Sequence, residues 1–461
     1  MAKPADKVKV RENKYIKYID LNQLFNWSVQ GLLDSKFNYT KNFELARIGD
    51  FLIKSRSLVN IEDDVLYKRV TVRINNNGVT LRDTQKGVNI GTKKQYAVKA
   101  GQFIVSKIDA RNGAFGIIPE GLEGAIVTND FPLFDVNREK ILPQFLLLIT
   151  TTKVFVKFAQ SCSSGTTNRQ RMDIEMFLNQ KIPLPSLAEQ NRIMSAFEKK
   201  LREAQKLEED VAKTNDELET CLFQKLSIKN QIIQSLKPGL NFINFSKLNA
   251  WGLDKILRGD NEGVLVSNKF PNRKLSELIY VNPRTDLKEL KDSDDMSFIP
   301  MECVSDEYGE VIELRSGKKS KSGGYTKFQE GDLIWARITP CMQNGKSAVI
   351  QGLKNKLGYG STEFHVLRAK DKTFSIAFTY HLLRSLAVRM DAINHFTGSA
   401  GQQRVPKEYL ENLIVPVPPI QIQNEISKHL NELKEKKRNL TQKADASRLS
   451  AIKEFEKEIF H

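Results

Sequence analysis

The spacing of hydrophobic positions changes abruptly at two places along the chain. Before each change, short apolar or β-branched runs such as "KRVTVRI" (residues 68–74), "QFIVSKI" (102–108) and "GAIVTNDF" (124–131) are separated by Asn/Gly turns such as "INNNG" (74–78). Runs of this length and composition, bounded by turn residues, are typical of strands. The pattern predicts an α+β globule in the first part of each half of the chain.

After each change the apolar positions recur at helical spacing, and proline and glycine disappear from the stretch. Each change follows a Pro-x-Pro, at Pro183/Pro185 and at Pro416/Pro418, where proline ends the strand-bearing globule. The first apolar stripe comprises Phe197, Leu201, Ala204, Leu207, Val211, Leu218, Leu222 and Leu226, and the second comprises Ile426, Leu430, Leu433, Leu440, Ala444, Ala451, Phe455 and Ile459. The pattern predicts two long helices.

A helix of about 35–40 residues spans roughly 55–60 Å, which is more than one small globule can cover. The apolar stripe of each helix is buried most simply if the two helices pair. Because each helix follows its own globule, antiparallel pairing would place one globule at each end. The alternative is that each helix folds back onto its own globule.

The two halves of the chain are copies of one unit. At an offset of 233 residues, "GTTNRQRMDIEMFLNQKIPLPSLAEQNRI" (165–193) aligns without a gap on "GSAGQQRVPKEYLENLIVPVPPIQIQNEI" (398–426). Upstream, after a three-residue slip, "GQFIVSKIDARNGAFGII" from Gly101 matches the pattern of "GDLIWARITPCMQNGKSAVI" from Gly331. "AIVTNDFPLF" from Ala125 then answers "GYGSTEFHVL" from Gly358. The period is too long for a solenoid, so the pattern indicates a duplication.

Composition narrows the class of protein. A chain of 461 residues is expected to hold two to four cores, and 40% hydrophobic with 27% charged residues is usual for a soluble globular protein. There is no run of 18 apolar residues and no signal-peptide core, and the four cysteines form no CxxC pair. We therefore expect a cytoplasmic protein without a membrane segment. The net charge of +16 favours a polyanionic partner, although a surplus of surface lysine is the alternative.

Several partial motifs of catalytic sites occur in the sequence, but none is complete. "NGKS" (344–347) lacks the earlier glycine of a phosphate-binding loop, and no GxGxxG follows a strand. "VNPR" (281–284) lacks the Asn-Pro-Pro-aromatic tetrad of an adenine methyltransferase, and the five histidines show no metal-ligand spacing. The sequence contains no nucleophile–base pair that can be recognised. The chain is therefore expected to be non-catalytic, with no metal site.

Four loops, two in each half, are candidates for DNA contact because they combine Lys or Arg with Asn or Gln. These side chains bind phosphates and read the edges of purines. The alternative is that the loops are solvated turns, with Arg171 and Arg404 capping the segments that follow. The candidate DNA-binding residues are Lys107, Arg111, Asn112, Asn168, Arg169 and Arg171 in the first half, and Arg337, Gln343, Asn344, Lys346, Gln402, Gln403 and Arg404 in the second.

At these residues the chain resembles the specificity subunits of type I restriction–modification enzymes. The resemblance runs from about Phe43 to the C-terminus and is strongest in "SKIDARNGAFGIIPEGLEGAIVTNDFP", "GDLIWARITPCMQNGKSAV" and "GSTEFHVLR", and in the duplicated G-x4-Q-R, Pro-x-Pro and Q-N-x-I junction. It implies two target recognition domains, each reading one half of a bipartite DNA sequence, joined by two long antiparallel coiled-coil helices. The implied segments are an N-terminal extension (1–42), domain 1 (43–185), a central helix (186–235), a linker (236–271), domain 2 (272–418) and a distal helix (419–461).

The resemblance also implies partners. Double-stranded DNA, two modification (methyltransferase) subunits and restriction subunits would assemble with the chain, and those subunits would bring S-adenosylmethionine, ATP and Mg²⁺, none of which the chain itself would bind. Residues 1–42 have no counterpart in the repeat and are expected to form an extra helix or to close the two halves into a ring. Two alternatives remain open: the recognition chain of a related restriction system that cuts on both sides of its site, and a coiled-coil scaffold whose basic globules bind RNA or membrane.

Overall fold

The computed structural model describes residues 39–164, 171–228, 263–399 and 402–460. These residues divide into two compact units, which we describe separately. The first unit contains the described residues up to Ala204 and from Asp445 onwards, and the second contains those from Gln205 to Ala444. Most of the expected N-terminal extension (1–42) and of the expected linker (236–271) lies outside the described residues.

The first unit is built from short strands and three short helices that precede a long one. Its strands are β1 (Leu45–Arg47), β2 (Leu52–Ser55), β3 (Leu58–Asn60), β4 (Leu66–Val72), β5 (Val79–Lys86), β6 (Lys94–Ala97), β7 (Phe103–Val105), β8 (Phe115–Ile117), β9 (Ile126–Val127), β10 (Leu133–Val136), β11 (Ser163–Ser164), β12 (Arg171–Met172) and β13 (Lys181–Pro183). Its helices are α1 (Pro143–Thr150), α2 (Lys153–Ser161), α3 (Ile174–Asn179) and the first part of α4 (Leu187–Leu226).

Two sheets and two strand pairs organise the first unit. One sheet has the order β2-β10-β7-β8 and the other the order β3-β6-β9-β4-β5, while β1 pairs with β13 and β11 with β12. The helical side of the first sheet holds a cluster of phenylalanines, with Phe103, Phe115 and Phe177 stacked at centroid distances of 6.1–6.4 Å. All three side chains are fully buried, so this cluster forms the centre of the core.

The second unit has the same design. Its strands are β14 (Asn272–Lys274), β15 (Ile279–Val281), β16 (Asp295–Ile299), β17 (Arg315–Lys318), β18 (Thr326–Gln329), β19 (Leu333–Ala336), β20 (Ser347–Val349), β21 (Leu357–Gly360), β22 (Phe364–Ala369) and β23 (Ile414–Pro416). Its helices are α5 (Leu275–Leu278), α6 (Ile376–Arg384), α7 (Leu386–Ile393), α8 (Lys407–Asn412) and most of α9 (Ile420–Ile459). Its core includes Trp335, Phe378 and Leu382.

Strand order and register show that the two units share one topology. The order β15-β22-β19-β20 repeats β2-β10-β7-β8, and β18-β21-β16-β17 repeats β6-β9-β4-β5. In both units one parallel pair, β4 with β9 and β16 with β21, interrupts otherwise antiparallel sheets. Phe103 pairs with Ile117 in the first unit, as Leu333 pairs with Val349 in the second. The duplication seen in the sequence is therefore a duplication of fold, and the expected mixed α/β class is confirmed.

A buried glutamine fastens each long helix to its own globule. In the first unit, Gln190 Oε1 accepts a hydrogen bond from the backbone N–H of Leu142 (2.8 Å), and Nε2 donates to the carbonyls of Lys140 (2.9 Å) and Pro185 (2.8 Å). The side chain is fully buried and lies in the first turns of α4. One amide thus ties together the helix, the Pro-x-Pro segment and the loop before α1.

Gln423 makes the same three bonds in the second unit. Its Oε1 accepts from the N–H of Ser375 (2.8 Å), and its Nε2 donates to the carbonyls of Thr373 (3.0 Å) and Pro418 (2.8 Å). These two glutamines are the Gln of the duplicated Gln-Asn pair. The repeat of the Pro-x-Pro and Gln-Asn motif therefore marks a repeated joint between globule and helix.

Within each unit the two long helices run antiparallel. In the first unit Arg192 pairs with Glu458 at 3.1 Å, while eight residues later Lys200 contacts Ser450 (2.7 Å) and Glu454. In the second unit, Glu217 pairs with Lys436 at 3.4 Å. There, Lys225 pairs with Glu425 at 3.6 Å. Each helix is 40 residues long, as the apolar stripes indicate, although Leu201 and Leu449 are exposed.

The described end of the N-terminal segment does have a counterpart in the repeat. Thr40 Oγ1 donates to the carbonyl of Glu458 (3.0 Å), and Tyr39 stacks on Phe460 at the end of α9. In the second unit, Ser267 Oγ donates to the carbonyl of Leu226 at the end of α4. In each unit, the chain just before the globule thus packs on the end of the long helix that does not follow that globule. Residues 39–40 therefore belong to the duplicated unit.

The glutamine joint makes a stability prediction. Gln423→Ala leaves one N–H and two carbonyls without their partner, and we expect it to lower the free energy of opening of the second unit by about 2 kcal/mol. Hydrogen exchange of the slowest amides of each unit measures this, since a chain with two units need not unfold in one step.

Asn424→Ala is the matched control, because the neighbouring side chain is exposed. Its effect should stay below about 0.5 kcal/mol. If the slowest amides were equally protected from hydrogen exchange in Gln423→Ala and Asn424→Ala, Gln423 would not be what holds the joint together.

Candidate nucleic-acid interface

Lys107 and Arg337 occupy the same position in the two units. Each follows a fully buried strand, β7 or β19, and each is half-buried. The carbonyl of Lys107 accepts from the N–H of Met172 (2.9 Å), and that of Arg337 accepts from the N–H of Val405 (2.8 Å). These bonds bring two of the candidate loops of each unit together.

One candidate arginine in each unit, Arg171 or Arg404, forms a bidentate ion pair with an acidic residue. The acids belong to "NDF" (129–131) and "TEF" (362–364). Arg171 donates from Nε and Nη2 to the carboxylate of Asp130 at 3.0 and 3.2 Å. Arg404 donates in the same way to Glu363, at 2.9 and 2.8 Å. These ion pairs run to acids 41 residues upstream, so neither arginine is seen capping the segment that follows it, as the alternative interpretation expected.

The hydrogen bonds from Arg404 hold the pKa of the Glu363 carboxyl below its ordinary value. Arg337 adds a contact to the same carboxylate at 3.3 Å. Because the folded-state pKa is depressed, this ion pair stabilises the second unit above the ordinary pKa of glutamate, and its contribution is lost as the pH falls through the folded-state pKa. In the first unit, by contrast, Lys107 has no acidic partner within 4 Å among the described residues.

The rest of the first loop is held through its backbone. The carbonyl of Arg111 accepts from Nε2 of Gln160 (3.0 Å), and the carbonyl of Asn112 accepts from the N–H of Asn75 (2.8 Å). Arg111 is half-buried and Asn112 is exposed. Among residues 106–116, which the structure describes in full, Asn112 is the exposed one. Asn168 and Arg169 lie outside the described residues.

The corresponding loop of the second unit is more heavily tied. Lys346 donates to the carbonyl of Met301 at 3.1 Å, and the carbonyl of Gln343 accepts from Arg389 at 2.8 Å. Asn344 and Gln402 are exposed, whereas Gln403 is half-buried and its carbonyl accepts from the N–H of Thr339 (3.0 Å). Arg337, Arg404, Gln403 and the start of the loop at Thr339 thus lie side by side, with Lys346 directed away from them to Met301.

The structure adds a group of basic residues that the sequence did not single out. A cleft of about 690 Å³ in the second unit, here named the inter-sheet cleft, is lined by Asn282, Pro283, Arg284, Thr285, Asp286, Leu287, Lys288, Lys319, Thr326, Lys327, Arg337, Thr362, Phe364 and Val366. It shares Arg337 with the candidate set. The signal that could have found it is the glycine- and lysine-rich run "RSGKKSKSGGYTK" (315–327).

The part of the chain that the structure describes holds no group of three or more His, Cys, Asp or Glu side chains that could bind a metal ion. Within the same residues, no helix combines the length and the apolar character that crossing a membrane requires.

Comparison with known proteins gives a family. The model of the type I restriction modification DNA specificity domain matches the chain twice, over residues 40–220 and 268–447, which together make up more than three quarters of its length. Each match begins at a globule and ends within the long helix that follows it.

Two curated relatives from Escherichia coli are similar over part of their length. The EcoAI specificity subunit is 37% identical over 154 residues and the EcoEI specificity subunit 35% identical over 146, about a third of this chain in each case. The matched segment is about a quarter of the length of these relatives, 26% and 24%.

One solved structure, described as showing complex assembly and conformational transition of the type I R-M system, shares the fold. Its TM-score is 0.55 at 14% identity, and the match covers 92% of this chain and 98% of that one. With the double match to the family model, the conclusion is that the chain belongs to the type I restriction modification DNA specificity domain family.

Proposed function

We propose that the chain is the DNA sequence-recognition subunit of a type I restriction–modification complex, in which each unit reads one half of a bipartite target. The observation that carries the proposal is the double match to one DNA specificity domain, on two units of the same topology. Two copies of one reading module suit two half-sites better than one continuous site. The target recognition domains would be residues 43–185 and 272–418.

The charge of the chain supports a DNA partner. A net charge of +16 is large for 461 residues, and lysine and arginine supply most of the affinity of DNA-binding proteins. The thirteen candidate residues remain the proposed contacts of the loops. Among them Lys107 is best placed for a phosphate, because it has no acidic partner among the described residues, whereas Lys346, which also lacks one there, donates to the carbonyl of Met301. Arg171 and Arg404 would first have to leave Asp130 and Glu363.

The long helices have two roles in this proposal. Joined as an antiparallel coiled coil, they would set the distance between the two recognition domains, and their outer faces would dock two modification subunits, which the restriction subunits join. Cross-helix pairs such as Arg192 with Glu458 and Lys225 with Glu425 support the coiled coil, because opposite charges flanking an apolar seam fix the orientation of paired helices.

Catalysis is assigned to the partner subunits. The sequence offers no cofactor motif, so S-adenosylmethionine, ATP and Mg²⁺ would bind to the modification and restriction subunits. The chain's own contribution would be to hold those subunits on a chosen sequence, which fits a protein whose candidate residues bind phosphates and bases.

A salt titration tests the proposed loop contacts. Lys107→Ala should lower the slope of log K against log salt concentration by about one, because one phosphate contact and its released counterion are lost. Fluorescence anisotropy of a labelled duplex, measured between 50 and 200 mM salt, gives the slope. Lys199→Ala on the exposed face of α4 is the control and should leave it unchanged. Identical slopes for wild type and Lys107→Ala would remove this residue from the interface.

An insertion tests the helices as the spacer of the target. Seven residues added after Ala212, and seven after Arg438 on the facing helix, keep both apolar stripes in phase and lengthen the pair by roughly 10 Å. At 3.4 Å per base pair, the spacer between the half-sites should grow by about three base pairs.

Mapping of methylated adenines in cells that carry the inserted chain and the modification subunits reads this out. The half-sequences should be unchanged. A four-residue pair of insertions, which rotates the stripes, is the control and should weaken assembly. Full methylation with the original spacer would show that the helices do not set the distance.

A further inference from the structure

The inter-sheet cleft has the size and the charge of a binding site. Its volume of about 690 Å³ falls within the roughly 300–1,000 Å³ that ligand sites occupy. Its lining contains five cationic side chains and one acidic one, Asp286. A cleft with this imbalance attracts anions, because its walls concentrate the field of the charges.

One wall of the cleft is fixed at Asn282. The Asn282 Oδ1 accepts from the N–H of Val366 (3.0 Å), and its Nδ2 bonds the Nδ1 of buried His365 at 3.0 Å. Burial lowers the pKa of the His365 ring, which favours its neutral form. Because the carbonyl of Val405 can only accept, Nε2 is the nitrogen that donates, at 2.8 Å. Asn282 has a φ of +53°, a conformation that asparagine tolerates better than most residues. These contacts set the direction of the segment that follows.

The same segment is fixed again at Thr285. Its hydroxyl donates to the carbonyl of Lys327 (3.2 Å) and accepts from Nη2 of Arg368 (3.1 Å), whose guanidinium also pairs with buried Asp332 at 2.7 Å. Arg284 therefore projects from a short stretch held on both sides, between Asn282 and Thr285. A side chain presented in this way loses less freedom when it binds.

Among the described residues, three of the five cations lack a close ion pair with an acid: Arg284, Lys288 and Lys327, the last of which donates to the carbonyl of Tyr325 at 3.2 Å. Lys319 is occupied by Asp292 (3.3 Å) and by the carbonyl of Leu290 (2.6 Å), and Arg337 contacts Glu363. Arg284 and Lys327 have no acidic partner within 4 Å in the described ranges. Lys288 has a long contact with Asp286 (3.7 Å), and both side chains are exposed. Such an exposed pair is weak and easily exchanged.

We propose that the inter-sheet cleft holds a stretch of the DNA sugar–phosphate backbone, with Arg284, Lys288 and Lys327 each pairing a phosphate. The inference rests on the proposed function and assigns to the second unit a phosphate-binding surface in addition to the proposed loop contacts. A strand of phosphodiesters fits better than a single small anion, because the three cations stand on two different elements of an open cleft.

The contact belongs to the second unit alone. The strand registers match Ala97 to Lys327, and counting on from the end of β2 gives Ser57 where the second unit has Arg284, so the first unit has no cation at either place. The phosphates concerned should therefore lie in one half of the target, while the other half is held by different residues.

The test compares single variants of the full chain on a labelled 40-base-pair duplex between 50 and 200 mM salt. Arg284→Ala, Lys288→Ala and Lys327→Ala should each lower the salt slope by about one, so that the affinity ratio of wild type to variant falls about 3.5-fold across this range. Lys372→Ala is the matched control, since that lysine is exposed and lies beyond the opposite end of β22. Its slope should equal that of wild type.

Ethylation interference locates the lost contacts. On a duplex carrying the target mapped by methylation, ethylated phosphates that weaken wild-type binding should become neutral for the three variants in one half-site only. If wild type binds DNA but the three slopes match that of Lys372→Ala, the cleft is not the interface and the proposed function stands. If wild type shows no salt-dependent binding to any duplex, the proposed function fails, and the cleft assignment fails with it.

Discussion

The buried amides of Gln190 and Gln423 are the interactions on which the rest of the structure depends. Each amide satisfies three backbone groups that belong to separate pieces of chain: the start of a long helix, the Pro-x-Pro before it and a loop of the globule. An amide offers both a donor and an acceptor, so neither an acid nor an apolar side chain of similar size could make this joint. Because the globule cannot pivot on its helix without breaking these bonds, the direction of the helix determines the orientation of the globule.

The two units share one strand topology, but some equivalent positions carry different side chains. Gln102 donates to the carboxylate of Asp135 in the first unit, whereas the equivalent pair in the second unit is Asp332 with Arg368, so a hydrogen bond from a neutral amide to a carboxylate is replaced by an ion pair. The loop anchors follow the same logic, with Asp130 and Arg171 in one unit and Glu363 and Arg404 in the other. Matching joints with different surface contacts suit the proposed role, in which one scaffold presents two different reading faces.

Much of the fold could be predicted from the sequence, because its largest features are periodic. The helical stripes gave two long helices, and the offset of 233 residues gave two similar units, since apolar spacing and repeats are visible without knowledge of contacts. The roles of single polar residues were harder to predict. Arg171 and Arg404 looked like free cations, because their partners Asp130 and Glu363 lie 41 residues away in the chain.

The inter-sheet cleft was difficult to predict for the same reason. "VNPR" (281–284) and the lysines of residues 315–327 are separated in the chain, and nothing in its order says that β15 and β18 border one cleft. Local patterns report helices and strands, whereas a binding surface depends on which strand ends meet. That information comes from the register of the sheets.

The central claim is that each unit reads its own half of the target while the helices hold the distance. The most direct test replaces residues 275–417 with the corresponding segment of a family member of different specificity, and maps methylated adenines in cells that also carry the modification subunits. The account predicts that one half of the methylated sequence changes, while the other half and the spacer stay the same. A change in both halves, or in neither, would contradict it.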